Sequence, residues 1–361
     1  MPQIKYIFGD LGSQQVIAEL PMSSVSMDRK LNGWGTLTGT LFLDRAGIDN
    51  ADVIASTIPG RCFIIVERDN TPVWDGIIWT RSYDNQGKDL NITGRGYEGY
   101  PERQLILESI SYDLVEQRNI MRDLWNRMQS DPTRNIGIAI PASFTTLKPR
   151  SLTIDANEYK NFLQVMSSIA DGDDGFDWTI VTTKQNNQYI RTLKIGYPFL
   201  GTTSGAALSF DYPGAITNYW KTDVINNAGT NAYVLCAGEG SSMVVGVAIQ
   251  QDLLDSGFKR FDFTVSRKDI DDPTNAQSLA NQLGAQRRPP LSVLKCVLKA
   301  DIEPVFGSYG LGDTATLSIV DARHPAGLTT TARIIAFSYV PQSDESIDKV
   351  ELVFEGDQLN S

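Results

Sequence analysis

A short apolar pattern occurs twice in this chain, and its recurrence limits the folds that the sequence can adopt. Residues Ile77–Tyr83 read Ile-Ile-Trp-Thr-Arg-Ser-Tyr, and residues Ile334–Tyr339 read Ile-Ile-Ala-Phe-Ser-Tyr. Both contain two isoleucines, a short spacer and Ser-Tyr, and the two spacers differ by one residue. Because β-branched and aromatic residues fit a pleated surface, each copy of the pattern predicts a β-strand.

The sequences around the two copies also correspond. An apolar strand is predicted before each copy, at Cys62–Glu67 and at Thr314–Val320, and a polar turn follows each copy. A further strand then ends in Gly94 or in Gly356. The first set lies within Arg61–Gly99, which predicts a three-stranded antiparallel meander. These correspondences favour a duplication that produces two related β-barrels or sandwiches, and the alternative is chance similarity between two meanders.

The length of 361 residues exceeds that of one ordinary hydrophobic core and predicts two to three domains. Many short strands and few helices predict a mainly β fold with helical and small α+β insertions. We expect four segments: a first β-domain over residues 1–105, a helical connector over 106–150, an inserted α+β domain over 151–220 and a second β-domain over 221–361.

Four stretches have apolar residues at helical spacing or signals of helix boundaries. They are Asp44–Thr57, Tyr112–Gln129, Asn157–Ala170 and Pro273–Arg288. The first and the last lie upstream of the two copies of the apolar pattern, which agrees with a duplication. The apolar face of Asn157–Ala170 predicts a helix packed on a sheet, and a hairpin is predicted at Trp178–Thr183 and Tyr189–Ile195.

The composition leaves few residues for catalysis or metal binding. The only histidine, His324, lies in a turn-like stretch, where a solvated side chain is the simpler interpretation than a catalytic one. The three cysteines, Cys62, Cys236 and Cys296, are far apart in apolar stretches and are expected to be buried thiols. A net charge of −11 argues against a basic nucleic-acid-binding surface.

Candidate sites in the sequence do not match established motifs. The acidic run Asp171–Asp177 has the wrong residues at the fifth, sixth and twelfth positions of a calcium loop and is expected to be a helix-to-strand turn. The run Gly238–Ser242 lacks the Lys-Ser/Thr ending of a phosphate-binding loop, and Arg287-Arg288 suit a helix end without a ligand. We expect no catalytic, cofactor-binding or metal-binding residues.

One group of aromatic residues has two interpretations. These side chains could form a face that stacks on sugars, but packing in a β-core or at a subunit interface is the commoner use of such residues. They are Trp74, Trp79, Tyr83, Tyr97 and Tyr100. The N-terminus has no secretory signal pattern and no window is long and apolar enough to span a bilayer, so folding in a cytoplasm without membrane insertion is expected.

Several short motifs, in order along the chain, together resemble the minor tail proteins that form the tail-tip hub of long-tailed actinobacteriophages. They are Trp74–Arg81, Gly175–Trp178, Gly196–Gly201, Phe210–Gly214, Gly238-Glu239-Gly240, Arg288-Pro289-Pro290 and Gly312-Asp313. Each motif is weak alone, and together they cover most of residues 60–315. The resemblance implies two tail-tube-like β-domains, related by duplication, in a trimeric hub with pseudo-sixfold symmetry.

The resemblance also implies a place in the virion. Such a hub joins the sixfold tail tube and distal tail protein to threefold tip components, and the tape measure protein and DNA pass through its channel. The negative charge of the chain then suits a lumen wall that repels phosphates and lets DNA slide without specific binding. The alternative is a carbohydrate-binding or cell-wall-degrading tail-tip protein, whose activity would depend on Asp173, Asp174 or Asp177.

Overall fold

A computed structural model describes residues 2–43, 50–171, 175–201, 208–225, 228–268, 270–289, 291–342 and 348–356 of the chain. The protein is mainly β, with several sheets and few helices, as the sequence predicts. No helix in these described ranges is long and apolar enough to cross a membrane.

The chain divides into two compact units. Unit 1 contains Met1–Asn218 and Cys296–Val353, and unit 2 contains Tyr219–Lys295 and Phe354–Ser361. The four segments expected from the sequence remain a prediction. The compact units divide the chain differently, because strands of residues 296–353 pair with strands near the N-terminus.

The N-terminal part of unit 1 contains seven strands and one short helix. The strands are β1 (Ile4–Asp10), β2 (Val16–Glu19), β3 (Ser23–Lys30), β4 (Thr36–Phe42), β5 (Cys62–Arg68), β6 (Thr71–Asp84) and β7 (Asp89–Arg95), and helix α1 is Asn50–Ser56. Strands β5, β6 and β7 form the predicted antiparallel meander. The predicted helix Asp44–Thr57 is confirmed as α1 over part of its length, and residues 44–49 lie outside the described residues.

The next part of unit 1 contains both strands and helices. It contains β8 (Ile110–Glu116), α2 (Gln117–Ser130), β9 (Ile138–Ala139), β10 (Pro149–Ile154), α3 (Phe162–Ala170), β11 (Asp177–Gln185) and β12 (Gln188–Gly196). The hairpin β11–β12 and helix α3 confirm the predictions for this region, although α3 begins later than expected. Its N-cap is Asn161, whose side chain accepts a hydrogen bond from the Gln164 backbone N–H.

The prediction of one helix over Tyr112–Gln129 is wrong at its start. Residues 110–116 form β8, which pairs antiparallel with β10, and the helix begins only at Gln117. Leu114 has a positive φ of 48° and is exposed, so it does not belong to a helical apolar face. The Tyr112 hydroxyl reaches forward to donate to the Asp123 carboxylate at 2.7 Å, which places Tyr112 beside the helix without being part of it.

The chain from Ser209 onward contains the remaining described strands and α-helices. They are β13 (Ser209–Tyr212), β14 (Ile216–Val224), β15 (Asn231–Leu235), β16 (Val245–Ile249), α4 (Gln251–Asp255), β17 (Asp262–Ser266), α5 (Pro273–Gln286), β18 (Leu291–Lys299), β19 (Thr314–Ile319), β20 (Leu328–Val340) and β21 (Lys349–Gly356). Helix α5 has Asp272 as its N-cap and Pro273 in its first turn, as expected from the sequence.

Unit 2 has its own small core. Strand β15 is flanked by β16 and β17, and helix α5 packs on this sheet through Ala276, Leu279 and Ala280. A Cβ atom at Gly246 would lie only 2.0 Å from the Ala276 carbonyl oxygen. Glycine at this position therefore lets α5 approach the sheet closely.

The large sheet contains the same five-strand arrangement twice. Its strand order includes β3-β4-β7-β6-β5 and, in the second part of the chain, β14-β18-β21-β20 with β19 beside β20. In both sets the strand with the Ile-Ile…Ser-Tyr pattern, β6 or β20, lies between the strand that precedes it and the strand that follows it along the chain. The two copies of the pattern are therefore confirmed as equivalent strands of a repeated arrangement.

Candidate assembly surface

The aromatic residues that could have formed a sugar-binding face are mostly part of the core. Trp74 and Tyr97 are completely buried, and the Trp74 indole N–H donates to the Asp28 carbonyl at 2.9 Å. Trp79 is partly buried beneath Arg95, whose guanidinium carbon lies 4.8 Å from the centre of the Trp79 ring. Tyr83 differs, because half of its surface is exposed (50%).

The acidic residues that the alternative function would need do not form a described catalytic pair. Asp173 and Asp174 lie outside the described residues. Asp177 is buried and forms an ion pair with Arg333, and its carboxylate accepts a hydrogen bond from the Leu200 backbone N–H at 2.9 Å. Within the described ranges, no group of three or more His, Cys, Asp or Glu side chains could hold a metal ion.

The remaining candidate residues have structural positions. All three cysteines are buried and reduced, and burial raises the pKa of the Cys296 thiol to about 12, which keeps it protonated and unreactive. His324 is held in its turn by its backbone N–H, which donates to the Asp321 carboxylate at 2.7 Å. Gly238–Ser242 connects β15 to β16, and Arg288 at the end of α5 pairs with Asp252.

A buried ionic cluster attaches the hairpin β11–β12 to the sheet. The Arg29 guanidinium on β3 lies 3.0 Å from an Asp75 oxygen and 3.2 Å from a Glu98 oxygen, and it donates to the Ile180 carbonyl at 2.6 Å. Glu98 also accepts from the Ile180 backbone N–H at 2.9 Å. Burial alone would lower the pKa of Arg29, but the charges of Asp75 and Glu98 outweigh it and raise that pKa.

A second group of buried polar contacts fixes the same hairpin. The Glu67 carboxylate on β5 accepts from Lys184 at 2.8 Å and from the Tyr189 hydroxyl at 2.9 Å. Burial raises the pKa of Tyr189, and the hydrogen bond to Glu67 raises it further. The Arg191 guanidinium lies over the rings of Phe63 and Tyr97, at 4.3 and 4.9 Å from their centres. These contacts hold the hairpin in one position on the sheet.

The two copies of the five-strand arrangement are joined by strand pairing. Strand β3 of the first copy pairs antiparallel with the second half of β20, so that Lys30 faces Ala336 and Met27 faces Tyr339. The Leu31 backbone N–H extends this pairing by donating to the Ile335 carbonyl at 2.9 Å. Strand β20 therefore has three strand neighbours, which are β19, β21 and β3.

A buried ion pair adds to this joint. Arg68, at the end of β5, lies 3.1 Å from Asp348, just before β21, and both side chains are buried. Arg68 also donates to the Phe306 carbonyl at 3.4 Å. The Phe306 ring packs on Phe337 and Tyr339 of β20, with ring centres 5.2 and 4.7 Å apart. The second half of β20 is thus covered by both a strand and a side-chain cluster.

The equivalent part of the first copy has no third strand within the described residues. Its other contacts include the Gly60 backbone N–H, which donates to the Ile78 carbonyl at 2.8 Å, and the Arg81 guanidinium, which donates to the Ile54 carbonyl. Strand β5 pairs with β6 only as far as Ile77, and β7 is the only other strand that pairs with β6 in the described part of the chain. Beyond Ile78 the side chains of Thr80, Ser82 and Tyr83 are exposed. The second half of β6 thus lacks the neighbour that β3 provides to β20.

The strand equivalent to β3 lies elsewhere in the large sheet. Strand β3 has two neighbours, β4 and β20, and its equivalent β14 stands beside β18 at the end of the strand order. The second half of β6 is therefore the candidate assembly surface of this protein.

Comparisons with known proteins identify the fold but no sequence family. No protein-family model and no curated protein matches the chain. Among solved structures, a tail protein from Neisseria meningitidis MC58 is 13% identical, with a TM-score of 0.65 over 98% of this chain and 97% of the other. The 43 kDa tail protein of prophage MuSo2 from Shewanella oneidensis is 9% identical, with a TM-score of 0.62 over 98% of each chain.

A third solved structure is also similar to this chain. The prophage tail protein gp18 from Listeria monocytogenes EGD-e is 10% identical to this chain, with a TM-score of 0.56 over 99% of this chain and 95% of the other. At such low identity the likeness shows the fold alone. This chain has the fold of these phage tail proteins over nearly its whole length.

The sequence identifies the strand that carries the assembly surface but not the difference in its surroundings. The Ile-Ile…Ser-Tyr pattern marks β6 and β20 as equivalent strands, and it does not indicate that only β20 pairs with β3. The pairing of β3 with β20 joins residues about 300 positions apart, for which local sequence gives no register.

Proposed function

We propose that this protein is a structural component of a phage tail, located in the virion at the tail tip, where three copies form a hub. The repeated five-strand arrangement carries this proposal, because three chains with two similar arrangements each can present six to a sixfold tail tube. The fold shared with phage tail proteins supports the tail-associated role. The association with long-tailed phages (siphoviruses) of actinobacteria rests on the sequence motifs.

The proposed neighbours follow from this position. The hub would join the tail tube and distal tail protein on one side to other minor tail proteins on the other, after assembly in the host cytoplasm. Its channel would admit the tape measure protein and then DNA during ejection, without specific binding. The net charge of −11 per chain supports a lumen that repels the phosphate backbone. A lumen lined mainly by lysine and arginine would contradict this part of the proposal.

We propose a role without catalysis or a cofactor. The ion pair of Asp177 with Arg333 supports this interpretation over a cell-wall-degrading function, because a carboxylate held in an ion pair is a poor general acid. No described contact favours a carbohydrate site. Incubation of purified host cell wall with the full chain tests this interpretation. We expect no release of soluble sugar.

The oligomeric state tests the proposed function. The full chain, purified at high concentration, should have the mass of three chains of 39.8 kDa and should appear in negative-stain images as a ring with a central opening. The same measurement should be repeated in the presence of the tail tube protein, since some assemblies form only on their neighbours. A chain that keeps the mass of a monomer under both conditions would contradict the hub.

A further inference from the structure

The small sheet of unit 2 has, among the described residues, a helix on only one of its faces. Helix α5 packs on the face that carries Ala232, Val234 and Ala248. The side chains that alternate with these point to the opposite face, and the strand register places them side by side. Those on β15 and β16 form what we call the outer face: Tyr233, Leu235, Val245, Val247 and Ile249. Val245 is 42% exposed and Ile249 is 51% exposed.

Strand β17 gives this outer face a polar and basic border. Its outward side chains are polar, and the segment Lys259–Lys268 around it contains four cations and one acid, Asp262. The cations reach both ends of the sheet, because Arg260 donates to the Tyr233 hydroxyl at 2.6 Å and Lys268 donates to the Gly238 carbonyl at 3.2 Å. A chain with a net charge of −11 therefore carries basic residues along one side of an apolar face.

The backbone edge of β16 is closed by a side chain of α5. The Gln277 Oε1 atom accepts from the Val247 backbone N–H at 3.3 Å, and the Gln277 Nε2 atom donates to the Val247 carbonyl at 2.6 Å. A strand added at this edge would need the same backbone groups. A partner of this sheet therefore has to contact the side chains of the outer face. From Val245 to Ile249 these side chains extend over about 13 Å, which is the length of about nine residues of α-helix.

We propose that the outer face of unit 2 binds an acidic amphipathic helix of another tail protein. This inference rests on the proposed location in a phage tail and names a partner within that assembly. Apolar residues at every third or fourth position of the helix would cover Val245, Val247 and Ile249. Its acidic residues would face the cations beside β17, and this charge complementarity selects an acidic helix over a basic one.

A second copy of the chain does not offer such a helix. On the described helices, the exposed large apolar side chains are limited to Ile54 of α1, a helix of seven residues. One side chain cannot cover a face that is two strands wide. Contact between the outer faces of two chains would be isologous and would join chains in pairs, which does not fit a ring of three.

Photochemical cross-linking in the virion tests the identity of the partner. Phage particles that carry the full chain with Ile249→p-benzoylphenylalanine are irradiated, and the cross-linked peptides are identified by mass spectrometry. We expect peptides of another tail protein, from a segment with apolar residues at helical spacing and more acidic than basic residues. Leu147→p-benzoylphenylalanine, at an exposed apolar residue of unit 1, is the matched control and should not link to this segment. A link from position 249 to a second copy of the chain, or to a basic segment, would overturn the proposal.

The cross-linked segment, made as a synthetic peptide, then tests the chemistry of the contact. Ile249→Asp in the full chain should weaken peptide binding at least about tenfold, because it places a carboxylate in the apolar contact. Lys259→Glu combined with Lys268→Glu should weaken it about three- to tenfold and reduce its dependence on salt. Leu147→Asp is the matched control and should leave binding unchanged, and circular dichroism should show the same fold for all variants. Equal binding by wild type and Ile249→Asp would overturn the proposal.

The outcomes separate this inference from the proposed function. Rings of three chains, with no cross-link from position 249 to another tail protein, would overturn the helix contact and leave the hub intact. The expected cross-link from a chain that stays monomeric with and without the tail tube protein would support the contact and contradict the hub. Binding of the chain to vesicles of anionic lipid, abolished by Ile249→Asp, would assign the outer face to a membrane and overturn the helix contact. Absence of the chain from purified phage tails would overturn both proposals.

Discussion

Strands β6 and β20 have the same place in two copies of one five-strand arrangement, but their second halves have different surroundings. The second half of β20 pairs with β3 and packs on Phe306, so that Tyr339 is completely buried (0%). The second half of β6 pairs only with β7 among the described strands, and Tyr83 is half exposed. The comparison teaches that the second half of β20 is completed by β3 within the chain, whereas no third strand pairs with β6 among the described residues.

The largest expected effect concerns the strand that completes β20. Arg29→Ala on β3 removes the cation that lies between Asp75 and Glu98 and leaves both carboxylates buried without it. Breaking a buried ion pair costs about 3–5 kcal/mol, and with two carboxylates we expect the upper end of this range for the free energy of unfolding. Urea denaturation of the full chain measures it. Arg61→Ala, which breaks an exposed pair with Asp10, should reduce the free energy of unfolding far less.

The next effect compares the two tyrosines of the repeated pattern directly. Tyr339→Ala should reduce the free energy of unfolding by about 3–4 kcal/mol, because it removes a buried ring that packs on Phe306. Tyr83→Ala should change it by no more than about 0.5 kcal/mol in the unassembled chain, since the ring is half exposed. Equal losses in the free energy of unfolding would show that Tyr339 and Tyr83 have similar surroundings and would contradict the comparison.

A smaller effect concerns the ion pair that supports the joint between the two copies. Arg68→Met should destabilise the chain by about 3 kcal/mol, because it leaves Asp348 buried without its cation. The double variant Arg68→Met, Asp348→Asn should recover part of this loss, since the uncompensated charge is then absent. Thermal unfolding of the two variants and of Asp348→Asn alone completes the cycle. Additive losses would contradict direct coupling between these side chains.

The smallest effect concerns β1, which pairs antiparallel with β5, whereas the equivalent strand β19 pairs with the parallel strand β13. Hydrogen bonds from the Ser13 backbone N–H and from Arg61 lower the pKa of Asp10 to about 2. Because this pKa is lower in the folded than in the unfolded chain, the contribution is present above about pH 4 and is lost as the pH falls toward 2.

The difference in stability between wild type and Asp10→Asn should therefore shrink as the pH falls from 5 to about 2. Its size should stay below about 1 kcal/mol at every pH, because the pair is at the surface. Chemical denaturation of both chains at several pH values measures this difference. A stability difference that increases toward acid pH would show that folding does not lower the pKa of Asp10.

The sequence predicts those parts of the fold that depend on local patterns. The turn residues of Arg61–Gly99 and the alternation in β19 and β20 are sufficient to find two meanders, and the apolar face of α3 is sufficient to find that helix. The helix prediction is wrong for Tyr112–Glu116, because these residues belong to strand β8, whose pairing with β10 is irregular near the exposed Leu114. Local spacing cannot distinguish these cases when the partner strand, β10, comes more than about 30 residues later.

The candidate assembly surface depended on information that the sequence does not contain locally. Strand β6 pairs with two strands among the described residues, and only the comparison with β20, which pairs with three, shows that this is a difference. The buried charges Arg29, Asp75 and Glu98 are on three separate segments, and their meeting follows from the pairing of the sheet and the position of β11. Their opposite signs in the sequence give no indication of which cation faces which carboxylate.

Hydrogen exchange of backbone amides, measured on the unassembled and the assembled chain, tests the central claim most directly. In the unassembled chain we expect amides of residues 336–339 to exchange slowly and those of residues 80–83 that face away from β7 to exchange rapidly. On assembly, protection should appear at residues 80–83 and should not change at 336–339. Equal protection of both strands before assembly, or no gain at residues 80–83 after it, would contradict the account.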